Sequence, residues 1–221
     1  PYGAVIGLEA DGFYQLEDFN TDGSLKEGIA FPLFGAVQPG DIRYKDLDGD
    51  GFIDQTDVTE IGNPVYPRLS YSFGAQAEYK GFDLSVLFQG AAGGSVNLLA
   101  HPAQFIAFVN NGNVHENALD AWAYYPEQGI DTRETATYPR LTTQNNENNY
   151  RNSSFWIRDN NYLRVRNIEV GYDLMSNLIK TQGISNLRLF LNAVNPLTFS
   201  KLLKDYARDP ESGYGYPALK S

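Results

Sequence analysis

Between Leu69 and Tyr79 the chain alternates without a break. Leu69, Tyr71, Phe73, Ala75, Ala77 and Tyr79 share one phase; Ser70, Ser72, Gly74, Gln76 and Glu78 share the other. A period of two over about eleven residues is a β-strand with one apolar and one polar face, at the length a tilted membrane strand needs. Lys80-Gly81 turns the chain. Phe82, Leu84, Val86 and Phe88 then resume the apolar phase against Asp83, Ser85 and Gln89, with Leu87 the exception facing the polar side. Two long alternating strands joined by two residues make a hairpin. Tyr71, Tyr79, Phe82 and Phe88 gather toward its ends, as an interfacial aromatic girdle requires. Such a hairpin fits either the wall of a membrane β-barrel or a soluble sandwich with one wet face.

Strand patterns return later. In Tyr162 to Leu174, Leu163 and Val165 lie in one phase and Ile168, Val170 and Tyr172 in the other, which predicts a bulge near Asn167 or a strand buried on both faces. Leu187, Leu189 and Leu191 alternate with Arg188, Phe190 and Asn192 up to Ala193. The link Asp173 to Asn186 is longer than a tight turn, with room for a helical turn. Asn195 to Ser221, rich in Pro, Gly and Tyr, reads as loop. Between the hairpin and these strands runs an excursion from Gly90-Ala91-Ala92-Gly93-Gly94 to about residue 160. It contains a predicted helix, Val114 to Tyr124, with Leu119 and Trp122 on one face, and the asparagine-rich run Thr142 to Asn149. A loop this long signals function or disorder. Outer-membrane barrels carry long loops on the outer face and tight turns on the periplasmic face.

Ahead of the hairpin lies Asp46-Leu47-Asp48-Gly49-Asp50-Gly51-Phe52-Ile53-Asp54-Gln55-Thr56-Asp57. Counted from Asp46, carboxylates fall at positions 1, 3, 5, 9 and 12, with glycine at 6 and an aliphatic residue at 8. This is the ligand spacing of a calcium loop whose seventh residue, Phe52, offers its backbone carbonyl. The candidate ligands are thus Asp46, Asp48, Asp50, Phe52, Asp54 and Asp57. Each close pair of like charges costs about 1 kcal/mol even in water, only Lys45 stands at the edge to oppose them, and a divalent cation relieves the crowding. Gly51 sits where a sharp turn needs positive φ. Asp57 is shorter than the glutamate that usually ends such loops, and the entering segment Pro39 to Tyr44 alternates like a strand, so no helix-loop-helix is expected. The competing reading is a solvated acidic turn. A helical turn is predicted over Thr56–Ile61, ended by Gly62-Asn63-Pro64. Short strands are predicted at Val5 to Leu8 and Gly12 to Leu16, with a turn at Asn20-Thr21-Asp22-Gly23.

The formal charge of −10 argues against nucleic acid and anionic membrane surfaces as partners. Zero cysteines remove disulfides and thiol chemistry. No run of about 18 apolar residues exists, which excludes a membrane-spanning helix and leaves a barrel open. Starting at Pro1 without a leader, the chain reads as a mature piece or a fragment. His101 and His115 are the only histidines, and no nucleophile-elbow pattern or acid–base pair stands out, so no catalytic residue is named and no enzyme is expected. Trp122, Tyr124, Tyr125 and Trp156, in or beside the long loop, are candidates to stack on sugar rings or to meet a protein partner, against the alternative that they pack the loop.

Several segments, in order, resemble the C-terminal part of the SusC/RagA-like TonB-dependent outer-membrane transporters of Bacteroidetes. They are Pro39-Gly40-Asp41-Ile42-Arg43-Tyr44-Lys45-Asp46-Leu47-Asp48-Gly49-Asp50-Gly51, Ile61-Gly62-Asn63-Pro64 and Tyr79-Lys80-Gly81-Phe82-Asp83-Leu84-Ser85-Val86. Tyr162-Leu163-Arg164-Val165-Arg166-Asn167 with Gly171-Tyr172, Asn195-Pro196-Leu197-Thr198-Phe199, Asp209-Pro210-Glu211 and Gly213-Tyr214-Gly215-Tyr216-Pro217 complete the series. The resemblance implies an all-β chain, part of a large antiparallel transmembrane barrel of about 22 strands when intact. Residues 1–64 would be an extracellular segment with the calcium-type loop. Residues 65–221 would be barrel strands with a long extracellular loop at about 93–160. It further implies import of oligosaccharides or peptides, a SusD-like surface lipoprotein as lid, and contact with outer-membrane lipid and with the rest of the barrel and its plug. Energy would come from TonB through the missing N-terminal part. The other class that fits the residues is a secreted, calcium-stapled β-module that binds glycans.

Overall fold

The computed structural model describes residues 3–100, 105–108, 113–174 and 187–211. In chain order the strands begin with β1 (Val5–Leu8), β2 (Ala10–Phe13), β3 (Phe31–Pro32), β4 (Ile42–Tyr44), β5 (Phe52–Ile53), β6 (Val58–Gly62) and β7 (Leu69–Tyr79). They continue with β8 (Phe82–Ala92), β9 (Ser95–Asn97), β10 (Tyr124–Tyr125), β11 (Ile130–Asp131), β12 (Ile157–Asp159), β13 (Tyr162–Leu174) and β14 (Leu187–Phe199), followed by one short helix, α1 (Lys201–Tyr206). The chain divides into two units: residues up to Val65 with Ser95–Arg158, and Tyr66–Gly94 with the residues from Asp159 onward. The segment 95–158, expected as a loop of the barrel part, therefore packs with the N-terminal segment.

The first unit is built from short ladders: β1 with β6, β2 with β4, β10 with β11 and β9 with β12, plus the parallel pair β3–β5. Its core gathers Tyr14, Ile42, Tyr44, Ile53, Tyr138 and Trp156, all buried. Trp156 meets Phe155 and Tyr138 edge-on, with ring centroids 4.8 and 5.9 Å apart. Phe155 and Trp156 belong to the segment expected as an open loop. The asparagine run is folded as tightly. Asn149 Oδ1 accepts from Ile42 N at 2.8 Å and Asn148 Nδ2 donates to the Ile42 carbonyl at 2.8 Å, so two side-chain amides supply the partners a neighbouring strand would give β4. Beneath them Asp41, with no exposed surface, accepts from Arg140 Nε (2.7 Å), Asn146 Nδ2 (2.8 Å), Asn149 Nδ2 (3.0 Å) and Gln38 N (2.8 Å).

Three expectations in this unit are corrected. The helical turn at Thr56–Ile61 is the strand β6, because Val58, Thr59 and Ile61 are β-branched and β1 offers a ladder. The helix Val114–Tyr124 shrinks to one 3₁₀ turn, Glu116–Asp120, after which the chain runs extended, and Trp122 N donates to Tyr138 O. Leu119 stays exposed while Trp122 is buried, so they do not share a core face. The strand expected at Gly12 to Leu16 lies earlier, as β2, and Leu16–Asp18 forms a 3₁₀ turn. The predicted strand Val5–Leu8 and the turn at residues 20–23 are present.

The second unit is one antiparallel sheet in the order β14–β13–β8–β7. The β7–β8 hairpin has the predicted bounds, with Leu69 opposite Ala92 and Tyr79 opposite Phe82. Lys80 (φ 49°) and Gly81 (φ 87°) both take left-handed backbone, the two-residue turn whose twist suits a hairpin. A register shift between Val165 and Asn167 interrupts both ladders of β13, the predicted bulge; Arg166 is the extra residue against β8, while Asn195 and Pro196 both stand opposite it on β14. Its effect is specific. Leu163 and Val165 before it, and Ile168, Val170 and Tyr172 after it, all pair with the apolar phase of β8: Gly90, Phe88, Val86, Leu84 and Phe82. β14 continues that face with Leu187, Leu189, Leu191, Leu197 and Phe199. Residues 195–199, expected as loop, extend β14, and Ser200 caps α1 by accepting from Leu203 N. The predicted helical turn within 173–186 and the last part of the tail lie outside the described residues, as does His101.

Candidate functional site

The acidic loop connects β4 to β6 through β5. Asp46, Asp48 and Asp50 each bring one carboxylate oxygen within 4.8 Å of the others. The loop's own N–H groups hold them there. Gly49 N and Gly51 N donate to the two oxygens of Asp46 (2.7 and 2.9 Å), Asp50 N to Asp48 Oδ1 (3.2 Å) and Phe52 N to Asp50 Oδ1 (2.8 Å). Such a wrap needs positive φ at Gly51, which takes 86°. The Thr56 hydroxyl lies 2.7 Å from Asp48 Oδ2 and 2.9 Å from Asp54 Oδ1. That hydroxyl, followed by Asp50 N–H, holds the Asp48 carboxyl below the usual carboxylate range.

Of the six residues read as ligands, three converge. Asp54 stands beside them through Thr56, and Phe52 opens β5 next to Asp50. Asp57 has another job. It has no exposed surface, and its two oxygens accept from Leu47 N at 2.6 Å and Asp54 N at 2.9 Å, tying the two ends of the loop together. Lys45 does not neutralise the cluster either, because its ammonium pairs with Glu9. Among the described residues no ion pair to Asp46, Asp48 or Asp50 is present, and carboxylate oxygens gathered in this way are of the donor type that hard divalent cations take.

The aromatic candidates separate by burial. Trp156 (1% exposed) donates its indole N–H to Asn149 O at 2.7 Å, and Trp122 donates to Gln15 Oε1 at 3.3 Å with its ring in the core. A core ring cannot stack on an outside ligand, so both are corrected to packing residues. The Tyr124 ring is covered by the Arg133 guanidinium, 4.1 Å from its centroid. Of the four, Tyr125 alone has its ring largely exposed, at 57%.

The sheet has two chemically opposite faces. On one stand Leu69, Phe73, Phe82, Leu189, Leu191 (81% exposed) and Phe199, all open. On the other, charges cross-link the strands. Arg188 on β14 reaches Glu169 on β13 (2.7 Å) and Asp83 on β8. Nearer the opposite end, Arg164 and Arg166 on β13 grip Glu211, Arg164 also holds Asp209 (2.7 Å), and Tyr162 donates to Glu211 at 2.6 Å. Sequence reading placed Asp83 and Arg188 in the polar phase but missed this network. The signal was the recurrence of opposite charges in that phase on different strands, which is unreadable without the register.

No protein-family model matches the chain. It is similar to two receptors of Formosa agariphila. TonB-dependent receptor P3 is 29% identical over 215 residues, 96% of this chain and 19% of that protein. TonB-dependent receptor P26 is 27% identical over 196 residues, 89% and 19%. Among solved structures, the RagAB peptide transporter aligns with a TM-score of 0.64 at 20% identity, over 95% of this chain and 20% of that one. The RagAB peptide importer in its open-open state gives 0.62 at 21% identity, over 94% and 20%. The chain thus spans about a fifth of the proteins it matches. The resemblance drawn from the motifs stands in sequence and in fold: the chain is all-β, and its sheet is an unclosed part of a larger antiparallel barrel.

Proposed function

We propose that this chain is the C-terminal portion of a TonB-dependent outer-membrane importer, with β7, β8, β13 and β14 as four neighbouring staves of the barrel wall. The observation that carries the reading is the apolar face kept in phase across four strands, by a bulge where the alternation would otherwise fail, opposite a face laced with ion pairs. A soluble sandwich would bury that apolar face; a barrel turns it to lipid and its polar face to the lumen. With Lys80-Gly81 as a periplasmic turn, the other end of the sheet, where the chain leaves β8 and returns into β13, faces the cell exterior.

In this reading the importer takes up oligosaccharides or peptides, with a SusD-like surface lipoprotein as lid and TonB acting through the remainder of the protein. The names of the matched proteins, receptors and a peptide importer, support that class of activity. Asp46, Asp48 and Asp50, with the Phe52 carbonyl, hold a structural calcium ion in this reading, which the convergence of the three carboxylates supports, while Asp54 and Asp57 fix the loop. The test is cell fractionation of the full-length protein followed by purification with and without detergent. Recovery from the outer membrane, with detergent needed to stay monodisperse, is expected. A well-folded monomer in plain buffer would contradict the importer and favour the secreted glycan-binding module.

A further inference from the structure

At the end of the sheet remote from the Lys80-Gly81 turn lies a pocket of about 740 Å³, inside the range of ~300–1,000 Å³ usual for small-ligand sites. Tyr71, Ala92 and Phe199 line it, and the register puts all three on the apolar face. Tyr71 is pinned. Its ring lies over Gly90, where an added Cβ would come within 2.4 Å of Tyr71 Cζ, and its hydroxyl reaches the Tyr162 carbonyl at 3.4 Å. Ser200, Lys201 and Lys204, at the start of α1, line it as well, together with Tyr162, Thr198 and Asn161. Both lysines are exposed, and among the described residues neither is paired with a carboxylate. Asp159 is the one acidic residue in the lining. In a chain with a net charge of −10, a pocket lined in part by the apolar face thus carries two lysines and a single carboxylate.

We propose that this pocket binds the phosphate-bearing head group of an anionic lipid in the outer leaflet. The inference rests on the barrel reading, which makes the apolar face lipid-facing and this end the outer interface. The two lysines meet the phosphate, Ser200 offers a hydroxyl donor, and Tyr71 and Phe199 pack against the apolar part next to the head group. Aromatic rings and lysines at the depth where hydrocarbon gives way to head groups are the residue types such a ligand needs. A soluble anion would gain nothing from the apolar side of the pocket.

The experiment is native mass spectrometry of the full-length protein in detergent, titrated with short-chain phosphatidic acid or phosphatidylcholine. The wild type is expected to bind phosphatidic acid about fivefold or more over phosphatidylcholine, the order expected for lysines at a lipid surface. Lys201→Gln with Lys204→Gln is expected to erase the preference, while Lys26→Gln, in the other unit, keeps it. An unchanged preference in the double variant overturns the proposal, and so does displacement of the lipid by an equal concentration of inorganic phosphate, which would mark a free-anion site. A protein that needs detergent yet shows no preference defeats this inference alone. One that is soluble without detergent defeats the barrel reading and this inference with it.

Discussion

Asp41 concentrates more of the first unit's organisation in one side chain than any residue read as functional. It is buried, paired with Arg140, and accepts from two asparagines of a run read from the sequence as part of a long loop. Removing one partner of a buried ion pair costs on the order of 3 kcal/mol. Asp41→Ala is therefore expected to lower the thermal midpoint of the first unit, within the full-length protein, well below that of a surface control such as Asp22→Ala. At the acidic loop, chelation is expected to lower the same midpoint, and Asp48→Ala with Asp50→Ala to reproduce the loss and make the protein indifferent to chelator. A midpoint that ignores chelator in the wild type would refute calcium there. Burial pushes the Tyr14 phenol up to about 12 and raises Tyr44 further. A folded pKa above the unfolded value of about 10 gives stability that is fully present below that pH and lost as pH rises through the folded value. A spectrophotometric alkaline titration should thus show Tyr14 and Tyr44 ionising only as the unit unfolds. Legibility at this scale followed chemistry. The spacing of the aspartates was visible, but not that Asp57 serves the backbone, nor that asparagine amides stand in for a strand. A carboxylate or amide looks the same in sequence whether it faces an ion, water or a buried N–H.

Among elements, those with long periodic patterns were readable. The β7–β8 hairpin has the bounds that alternation and the Lys80-Gly81 turn predicted, and the phase change in β13 revealed its bulge. Of the short elements β1 was read with its bounds, but others were not, because their partners decide them: β6 exists through β1, and the chain after Asp120 is pulled straight by Tyr138. β14 ran past its expected end because Asn195 and Pro196 together take the place opposite Arg166, which leaves Leu197 and Phe199 in the phase of Leu187, Leu189 and Leu191. The turn carries its own prediction. Gly81→Val must place a branched side chain at φ 87°, with its Cβ about 3.1 Å from the Asp173 carbonyl. The left-handed conformation alone costs roughly 1–2 kcal/mol, so the variant should assemble in lower yield and melt earlier in detergent than Lys80→Asn, which suits such a turn.

For the whole molecule, the chain is two units of opposite character. One buries Tyr14, Tyr44, Tyr138 and Trp156 around a hydrogen-bonded interior; the other exposes large apolar side chains over a face that water would not tolerate at this extent. The sequence could not show that residues 95–158 rejoin the N-terminal segment, since contacts between distant segments leave no periodicity. The account turns on which way the sheet faces. Single cysteines placed at Phe73, Ala75 and Val86, and at Ser72, Gln76 and Ser85, in a cysteine-free full-length background reconstituted in bilayers, test it directly. Fluorophores on the first set should be quenched by bromine carried on lipid tails and resist water-soluble thiol reagents. Those on the second should react with the reagents and ignore the lipid quencher. Quenching that fails to follow the alternation, or that falls on Ser72, Gln76 and Ser85 instead, would contradict a lipid-facing wall.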